Sequence, residues 1–338
     1  MTKKTTIYDI AEKLNITAAT VSRALNGNTK ISEATRKLVL ETAKEMNYEQ
    51  NKIALALKSG KSFNVGVIVP RIDSAFFASV IKGIEEELKP EGYHVIICQT
   101  YDQKESETAN ITSLINAQVD GILMSISISK TEDDSGFQNV IKKQIPLVFF
   151  DRSKAIKGVS SVVIDDYKGA YAATTHLIKQ GCKRIAHFSN NRKLQIFENR
   201  YQGYKQALLD HNLDFDESLV LEATSKLSEG KRLAQHLLTL SNPPDAIFSV
   251  SDFTALGAIQ EFKSQGLKIP DDICVVGFSN EPFTQLLELS ITSVDQAPIE
   301  MGRQTARVFL DEVQDKKNKK EKNVVLEPEL IIRKSSLK

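Results

Sequence analysis

The feature that most constrains the fold is a regular alternation, from Asn64 onward, of short apolar runs with amphipathic stretches of helical periodicity. The apolar runs are apolar throughout, which favours central strands of a parallel sheet covered on both faces. The predicted strands are Val65–Val69, His94–Cys98, Gly121–Ser125, Pro146–Phe150, Val162–Asp165, Arg184–Phe188, Ala246–Val250, Ile273–Phe278, Thr292–Val294 and Leu330–Arg333. The predicted covering helices include Phe76–Leu88, Thr108–Ala117, Ala170–Lys179 and Arg200–Leu209. The pattern therefore predicts a doubly wound α/β architecture.

This alternating region is long for a single domain, because the hydrophobic cores of single domains stop growing at roughly 250–300 residues. It divides near Val159–Asp165 into two halves that each open with strand, helix, strand, helix. We therefore expect two lobes with a cleft between them. Ligands of open parallel sheets bind beyond the carboxyl ends of the strands, so polar residues that directly follow a strand are the candidate site.

The first 60 residues differ from the rest, because their pattern predicts short helices and almost no strands. This change of pattern predicts a domain boundary near Gly60. Residues 1–61 contain 11 Lys and Arg against 6 Asp and Glu, whereas the remainder contains 33 against 37. The formal net charge of +1 hides this asymmetry. A basic N-terminal piece is consistent with a nucleic-acid partner, although a solvated basic face is the simpler alternative.

Several protein classes find no support in the sequence. The three cysteines are far apart and lie in or beside apolar runs, and the five histidines lack metal-ligand spacing, so neither disulfides nor a metal site is expected. No apolar stretch approaches the roughly 20 residues of a membrane helix, and no signal peptide is visible, so we expect a cytoplasmic location and no membrane partner. Neither phosphate-binding glycine motif follows the first strand of the α/β region, so no enzyme class and no cofactor is indicated.

The N-terminal region carries the pattern of a helix-turn-helix. A first helix over Thr6–Leu14 is followed by a tight turn, and Thr17 is a suitable N-cap for a second helix that Gly27 ends. In the second helix, one face is apolar and the opposite face carries small or hydrogen-bonding side chains and Arg23, which suits close approach to the major groove. Ser32 is a suitable cap for a third helix over Glu33–Met46.

Specific strings make this pattern recognisable. They are Ile7-Tyr8-Asp9-Ile10-Ala11, Thr20-Val21-Ser22-Arg23-Ala24-Leu25-Asn26, Ile31-Ser32 with Thr35-Arg36, and Met46-Asn47-Tyr48. Together they resemble the headpiece of the lactose-repressor (LacI/GalR) family of bacterial transcription regulators. The rest of the chain resembles the family's regulatory domain, which has the fold of type I periplasmic sugar-binding proteins. The strings that carry this likeness include Gly66-Val67-Ile68-Val69-Pro70, Phe150-Asp151-Arg152, Asn199-Arg200-Tyr201, Val275-Val276-Gly277-Phe278 and Thr292-Ser293-Val294-Asp295-Gln296.

The resemblance implies a set of DNA-binding residues in the headpiece. The residues on recognition-helix positions are Thr17, Ala18, Ala19, Thr20, Ser22, Arg23 and Asn26. Arg23 is suited to a bidentate contact with a guanine edge, and Ala18 or Ala19 to a thymine methyl group. Tyr8, Ser32 and Thr35 are assigned to phosphates, and Thr6 is placed with them among the DNA-binding residues.

The segment Asn51–Leu57 resembles the family's hinge helix, which enters the minor groove beside its dimer mate. The resemblance assigns Asn51 and Ala54 to DNA binding and Leu57 to the wedge between base pairs, while a plain linker is the alternative. Gln50 stands where the family usually has proline. The expected organisation is a headpiece over residues 1–49, a hinge and linker over 50–61, and a two-lobed effector and dimerisation domain over 62–338.

The resemblance also implies an effector site in the cleft. Hydrogen-bonding groups for the hydroxyls of a sugar are supplied by Asp151, Arg200, Asp252, Asn280 and Gln296, with Phe76 or Phe77 as an aromatic face. Asp165 and Ser279 complete the expected set. Asp165 and Asp252 could instead cap the helices that follow them, and Phe76 could belong wholly to the core.

We therefore expect a sequence-specific DNA-binding regulator, a repressor of carbohydrate-utilisation genes whose operator binding is controlled by a sugar or sugar phosphate. The alternatives are a sugar-binding protein of the same fold and a sugar-modifying enzyme with a DNA-binding headpiece. The chain ends directly after the last predicted strand without a heptad helix, so a homodimer on a pseudo-palindromic operator is expected rather than a tetramer. The dimer surface is expected on the lobe nearer the headpiece, including Phe76–Leu88.

Overall fold

The computed structural model describes residues 5–49, 60–128, 134–315 and 320–338. The chain divides into two units, Met1–Ser62 and Phe63–Lys338. The residues predicted to form the hinge, including Gln50, Asn51, Ala54 and Leu57, lie outside the described residues. No helix among the described residues is both long enough and apolar enough to cross a membrane.

The first unit contains, within residues 5–49, the helices α1 (Ile7–Leu14), α2 (Ala18–Leu25) and α3 (Glu33–Glu45). Each begins at a hydroxyl side chain that accepts a hydrogen bond from a backbone N–H three residues later, which satisfies one of the free donors of a helix start. These caps are Thr6, Thr17 and Ser32. The helices enclose a small core built from Ile10, Ala11, Val21, Ala24, Val39 and Ala43.

The second unit is built on two sheets, one in each lobe, and each has six strands among the described residues. The strands of the first lobe are β1 (Asn64–Val69), β2 (His94–Gln99), β3 (Gly121–Met124), β4 (Leu147–Phe150), β5 (Ser160–Ile164) and β11 (Asn323–Leu326). Those of the second lobe are β6 (Ile185–Ser189), β7 (Val220–Glu222), β8 (Ala246–Ser249), β9 (Cys274–Phe278), β10 (Thr292–Asp295) and β12 (Glu329–Ile331). The spatial orders are β11-β5-β4-β3-β1-β2 and β12-β10-β9-β8-β6-β7.

All pairs in both sheets are parallel except β10 with β12, which is antiparallel. The helices that cover the sheets are α4 (Ala75–Leu88), α5 (Lys104–Asn116), α6 (Ser135–Lys142), α7 (Asp166–Lys179), α8 (Gln195–Asp210), α9 (Leu227–Leu238), α10 (Asp252–Ser264), α11 (Phe283–Leu286) and α12 (Pro298–Gln314). Central strands such as β3, β4 and β9 are buried along their whole length, as their apolar runs predicted. The predicted doubly wound α/β architecture is confirmed.

The two lobes are not two consecutive halves of the chain, which corrects the division predicted near residues 159–165. The chain leaves the first lobe after β5, returns after β10 and leaves again between β11 and β12. Helix α12 packs against α4 of the first lobe so closely that a Cβ on Gly302 would lie 2.0 Å from the backbone oxygen of Val80. Three strand connections therefore join the lobes, and each is a place where a relative movement of the lobes must be accommodated.

Candidate effector cavity and DNA-binding surface

A cavity of about 440 Å³ lies between the two lobes, at the carboxyl ends of strands from both sheets. Pro70 follows β1, Asp151 follows β4, Ser279 follows β9 and Gln296 follows β10, so the position agrees with the rule for open parallel sheets. Its volume is typical of sites for small molecules. A molecule bound here would contact both lobes at once.

Six of the nine residues assigned to the effector site line this cavity. They are Phe76, Phe77, Asp151, Arg200, Ser279 and Gln296. Phe76 is 7% exposed, so it belongs mainly to the core and contributes only a small part of its surface to the cavity lining. Sequence reasoning missed further polar lining residues, which include Arg71, Asp73, Asp102, Arg152, Lys226 and Glu281. Arg152 carried a usable signal, because it follows a predicted strand in the same way as Asp151 does.

Arg200 is fixed in the wall of the cavity by three different elements. From α8, its Nε donates to Asp166 Oδ1 over 2.7 Å, its Nη1 to the backbone oxygen of Val250 over 3.2 Å, and its Nη2 to Gln296 Oε1 over 3.2 Å. The guanidinium also lies 3.7 Å from the ring centroid of Phe278. Burial raises the pKa of Asp166 to about 6 even though Arg200 opposes that shift. Arg200 thus joins α7, β8 and the crossing after β10.

The first lobe contributes a cluster of charged residues around the buried Asp151. Asp151, with a left-handed φ of 59°, accepts a hydrogen bond from Ser125 Oγ over 3.0 Å. Burial raises its pKa, and the nearby Arg152 and Arg200 oppose that rise. Arg152 Nη1 pairs with Asp102, and its Nε lies 3.9 Å from Asp151 Oδ2. Such left-handed backbone at a non-glycine residue is costly and tends to occur at functional sites.

Ser279 of the second lobe has the same unusual character, with a φ of 110° directly after β9. Gln296 Nε2 donates to Ser279 Oγ over 2.9 Å, while Gln296 Oε1 accepts from Arg200. Gln296 is 3% exposed and precedes Ala297, which is left-handed with a φ of 48°. The side chain of Gln296, which lies where the chain returns from the second lobe to the first, is therefore held by hydrogen bonds to the wall of the second lobe.

Asp165 does not line the cavity, and the direct contact expected for it is not supported by the geometry. Its Oδ1 accepts from the backbone N–H of Lys168 over 2.9 Å, so it is the N-cap of α7. The capping alternative weighed from sequence accounts for this residue.

We expect Asp165→Ala to lower the free energy of unfolding of the second unit by about 1 kcal/mol, because α7 would lose its N-cap. Asp165→Asn keeps an acceptor at the same position and should stay close to the unchanged chain. Thermal unfolding followed by circular dichroism measures both. Equal losses in the two variants would show that the charge of Asp165, and not its capping hydrogen bond, is what matters.

Asp252 and Asn280 also lie outside the cavity lining, which corrects their assignment. Asp252 is fully buried, where it accepts hydrogen bonds from Ser293 Oγ over 2.6 Å and from the backbone N–H of Glu281 over 2.8 Å. Burial raises its pKa to about 6. Asn280 donates to Asp295 Oδ2 over 2.6 Å and accepts from Arg333 Nη2 over 2.7 Å. Both side chains are used to join strands and loops behind the cavity wall.

In the first unit, the residues assigned to DNA binding lie on and around α2. Arg23 is exposed, and its guanidinium makes no hydrogen bond or ion pair with the residues that the structure describes. Thr17, Ala19 and Asn26 are exposed, whereas Ala18, Thr20 and Ser22 are half-buried. Asn26 Nδ2 donates to the backbone oxygen of Ser22 over 2.7 Å. Arg23 is therefore the long cation of α2 that is available for a contact outside the unit.

The residues assigned to phosphates have different surroundings. Tyr8 is 71% exposed. Ser32 and Thr35 share a hydrogen bond of 2.8 Å between their hydroxyls, and Thr6 Oγ1 donates to Asp9 Oδ2 over 2.7 Å. Helix starts with exposed hydroxyl caps bind phosphate well because their backbone N–H groups point outward. The arrangement is compatible with the predicted roles, which stay predictions.

Comparison with known proteins gives matches along nearly the whole chain. Residues 6–51 match the model of the bacterial regulatory proteins of the lacI family, and residues 62–334 match that of the periplasmic binding proteins and sugar binding domain of the LacI family. The HTH-type transcriptional regulator DegA of Bacillus subtilis (strain 168) is 34% identical over 334 residues, which cover 98% of each chain. The HTH-type transcriptional repressor CytR of Escherichia coli (strain K12) is 33% identical, covering 91% of this chain and 90% of that protein.

Among solved structures, the complex of the transcriptional regulator CelR with cellobiose has a TM-score of 0.74 and 28% identity, and covers 98% of this chain and 100% of that one. A helix-turn-helix unit and a two-lobed unit with a cavity between its lobes thus occur in the order found in these regulators. The chain belongs to the LacI family, and it is a DNA-binding transcriptional regulator rather than an enzyme.

Proposed function

We propose that the chain is a repressor of carbohydrate-utilisation genes, and that a carbohydrate in the cavity between the lobes controls its binding to a pseudo-palindromic operator. The observation that carries this proposal is that one cavity is walled by both lobes in a chain that also has a helix-turn-helix. A ligand that contacts both walls favours one relative position of the lobes, and it shifts the equilibrium by its difference in affinity for the two positions. The proposal implies that the protein acts in the cytoplasm, because that compartment holds the DNA.

The lining chemistry supports a carbohydrate. Phe76 and Phe253 line the cavity, and Phe253 is 43% exposed, so they offer apolar surface for the C–H face of a sugar ring. Buried polar groups such as Asp151 and Gln296 are suited to hydroxyl groups, because charged and amide groups give strong and directional hydrogen bonds. CelR, a similar protein, was solved with cellobiose.

The experiment is retention of genomic DNA fragments by the immobilised full chain, followed by sequencing of the retained fragments. The proposal predicts enrichment of fragments with a shared pseudo-palindrome, and their release by at least one member of a panel of mono- and disaccharides. Retention without any enrichment, or release of enriched and random fragments alike, would contradict it.

We further propose that the chain binds its operator as a homodimer through the edge of the first lobe. Strand β2 is the edge strand of that sheet, and its Ile96 and Ile97 are 36% and 49% exposed. Ile72 and Tyr101, which lie beside the end of β2, are 55% and 68% exposed. Exposed apolar residues along an edge strand invite association with another chain, and a pseudo-palindromic operator needs two recognition helices.

We expect Ile97→Lys to convert a dimer into a monomer at micromolar concentration, because two copies would bury like charges against each other. Light scattering after size exclusion measures the mass. Leu286→Lys is the matched control, since Leu286 is 79% exposed on the second lobe, and it should remain dimeric. A dimer of undiminished stability in Ile97→Lys would place the interface elsewhere.

A further inference from the structure

One acidic residue of the cavity wall differs from the others. Glu281 lines the cavity and is 8% exposed, and its carboxylate has no hydrogen bond or ion pair with the described residues. The other lining acids do have partners. Asp73 pairs with Arg71 at 2.6 Å, Asp102 pairs with Arg152, and Asp151 accepts from Ser125 Oγ.

The carboxylate of Glu281 is open to the cavity, but the residue is only 8% exposed, so its ionised form keeps only part of its hydration and has no partner among the described residues to compensate. A second carboxylate lies close to Glu281, because the fully buried Asp252 accepts a hydrogen bond from the backbone N–H of Glu281. The negative charge of Asp252 further disfavours the ionised form of Glu281. Desolvation and the charge of Asp252 together raise the pKa of Glu281 to about 7. No cation among the described residues opposes this rise.

The cations that line the cavity do not supply the missing partner. Arg71 and Arg152 are paired with aspartates of the first lobe, and Arg200 is held by Asp166. Lys226 also lines the cavity, but it is exposed and therefore hydrated by solvent. A cation that pairs with the ionised form of Glu281 would therefore belong to a molecule that enters the cavity.

An aromatic ring lies in the same part of the wall. Phe253 lines the cavity, is 43% exposed and packs with its ring centroid 4.9 Å from that of Phe283, two residues after Glu281. The face of an aromatic ring attracts a cation, and a carboxylate with an aromatic face is a suitable combination for an alkylammonium group. A neutral hydroxyl group offers no positive charge to the ionised form of Glu281.

We infer that the cavity holds a subsite for a protonated primary amine, formed by Glu281 with Phe253, and that the effector is a carbohydrate bearing such an amine. This inference rests on the proposed function of the cavity as the effector site. It predicts discrimination by charge, because the amine gains a charge-assisted hydrogen bond that the matched hydroxyl lacks.

The test is calorimetric titration of the full chain with matched sets of sugars. Each set contains a neutral sugar, its amino sugar and its N-acetyl derivative, based on glucose and galactose with the amine at different ring positions. We expect at least one amino sugar to bind about ten-fold more tightly than both of its matched partners. Glu281→Gln should abolish this preference, since glutamine keeps the shape and removes the charge.

The unfolding temperature and a second variant provide two further checks of the inference. Glu281→Gln should unfold at the same temperature as the unchanged chain or higher, because it removes a buried unpaired charge, and Glu222→Gln, which alters an exposed carboxylate at the end of β7, should leave the preference intact. The inference is overturned if no amino sugar binds in a manner that depends on Glu281, or if matched neutral sugars bind equally well. It is also overturned if Glu281→Gln lowers the unfolding temperature, which would reveal a partner within the protein.

Failure of this inference is distinguishable from failure of the proposed function. If neutral sugars release the enriched DNA fragments from both the unchanged chain and Glu281→Gln, the proposed function stands and the amine subsite does not. If no fragment is enriched, the proposed function fails whatever the sugars do.

Discussion

Replacement of Arg200 by methionine is expected to lower the free energy of unfolding of the second unit by about 3–5 kcal/mol, because it leaves Asp166 buried without its cation. Both side chains are almost fully buried, at 4% and 3% exposure, and the Nε to Oδ1 distance is 2.7 Å. Methionine fills a similar apolar volume, so the lost charge and hydrogen bonds dominate the effect. Chemical denaturation followed by circular dichroism measures the change.

The pH dependence of this loss provides an internal check. Burial already raises the pKa of Asp166 to about 6, and removal of Arg200 should raise it further. A raised carboxyl pKa penalises the folded state above the unfolded value, and the penalty grows as the pH rises through the folded value. The destabilisation by Arg200→Met should therefore be larger at pH 8 than at pH 5.

Two variants serve as controls for Arg200→Met. Arg303→Met removes an ion pair with Glu86 of similar length, 2.8 Å, whose side chains are 40% and 38% exposed, so solvent screens it and its loss should destabilise the fold far less than the loss of Arg200. The double variant Asp166→Asn with Arg200→Met also removes the buried charge of Asp166, so it should recover part of the lost free energy of unfolding. If Arg200→Met is no more destabilising than Arg303→Met, Arg200 is not the element that ties the cavity wall together.

Replacement of Arg23 by alanine is expected to weaken operator binding by about 1–3 kcal/mol, which is roughly 5- to 150-fold, with little change on random DNA. Arg23 lies exposed on α2 without an intramolecular partner among the described residues, so its loss should leave the headpiece folded. A bidentate contact to a base edge is specific for sequence, whereas a phosphate contact is not. Fluorescence anisotropy with an enriched fragment and a scrambled one measures both affinities.

The matched control is Lys37→Ala, which removes an exposed cation of α3. A lysine that acts only through its charge affects specific and random DNA alike, so any change in this variant should be similar for both complexes. Equal losses on both fragments for Arg23→Ala would assign Arg23 to the phosphate backbone and remove it from base recognition.

The sequence predicted those parts of the fold whose signals are local. Central strands such as β4 are uninterrupted apolar runs, and the headpiece helices begin at hydroxyl caps, so both were found. Strand β7 was missed because it has three residues that are not fully buried, and β11 because its four residues alternate between exposed and half-buried at the edge of a sheet. The return of α12 and β11 to the first lobe depends on contacts between distant residues, which no local pattern encodes.

For the candidate site, too, local sequence signals predicted one part and missed another. Strand ends located the cavity correctly, but they did not decide which of three successive residues after β9 enter it. Ser279 and Glu281 line the cavity, while Asn280 between them donates to Asp295 and accepts from Arg333. The left-handed backbone at Ser279 and Asn280 sets these directions, and it is unexpected for residues other than glycine. Asp252 was misassigned for a related reason, since it directly follows a strand end yet accepts hydrogen bonds behind the wall.

We propose that the contents of the cavity govern DNA binding by a separate unit of the same chain. The most direct measurement is the Kd of the full chain for one enriched fragment and one scrambled fragment, with and without each sugar that binds the cavity. We expect at least one such sugar to change the Kd of the enriched fragment by about five-fold or more and to leave the Kd of the scrambled fragment nearly unchanged. An unchanged Kd for the enriched fragment with every bound sugar would show that the cavity does not control DNA binding.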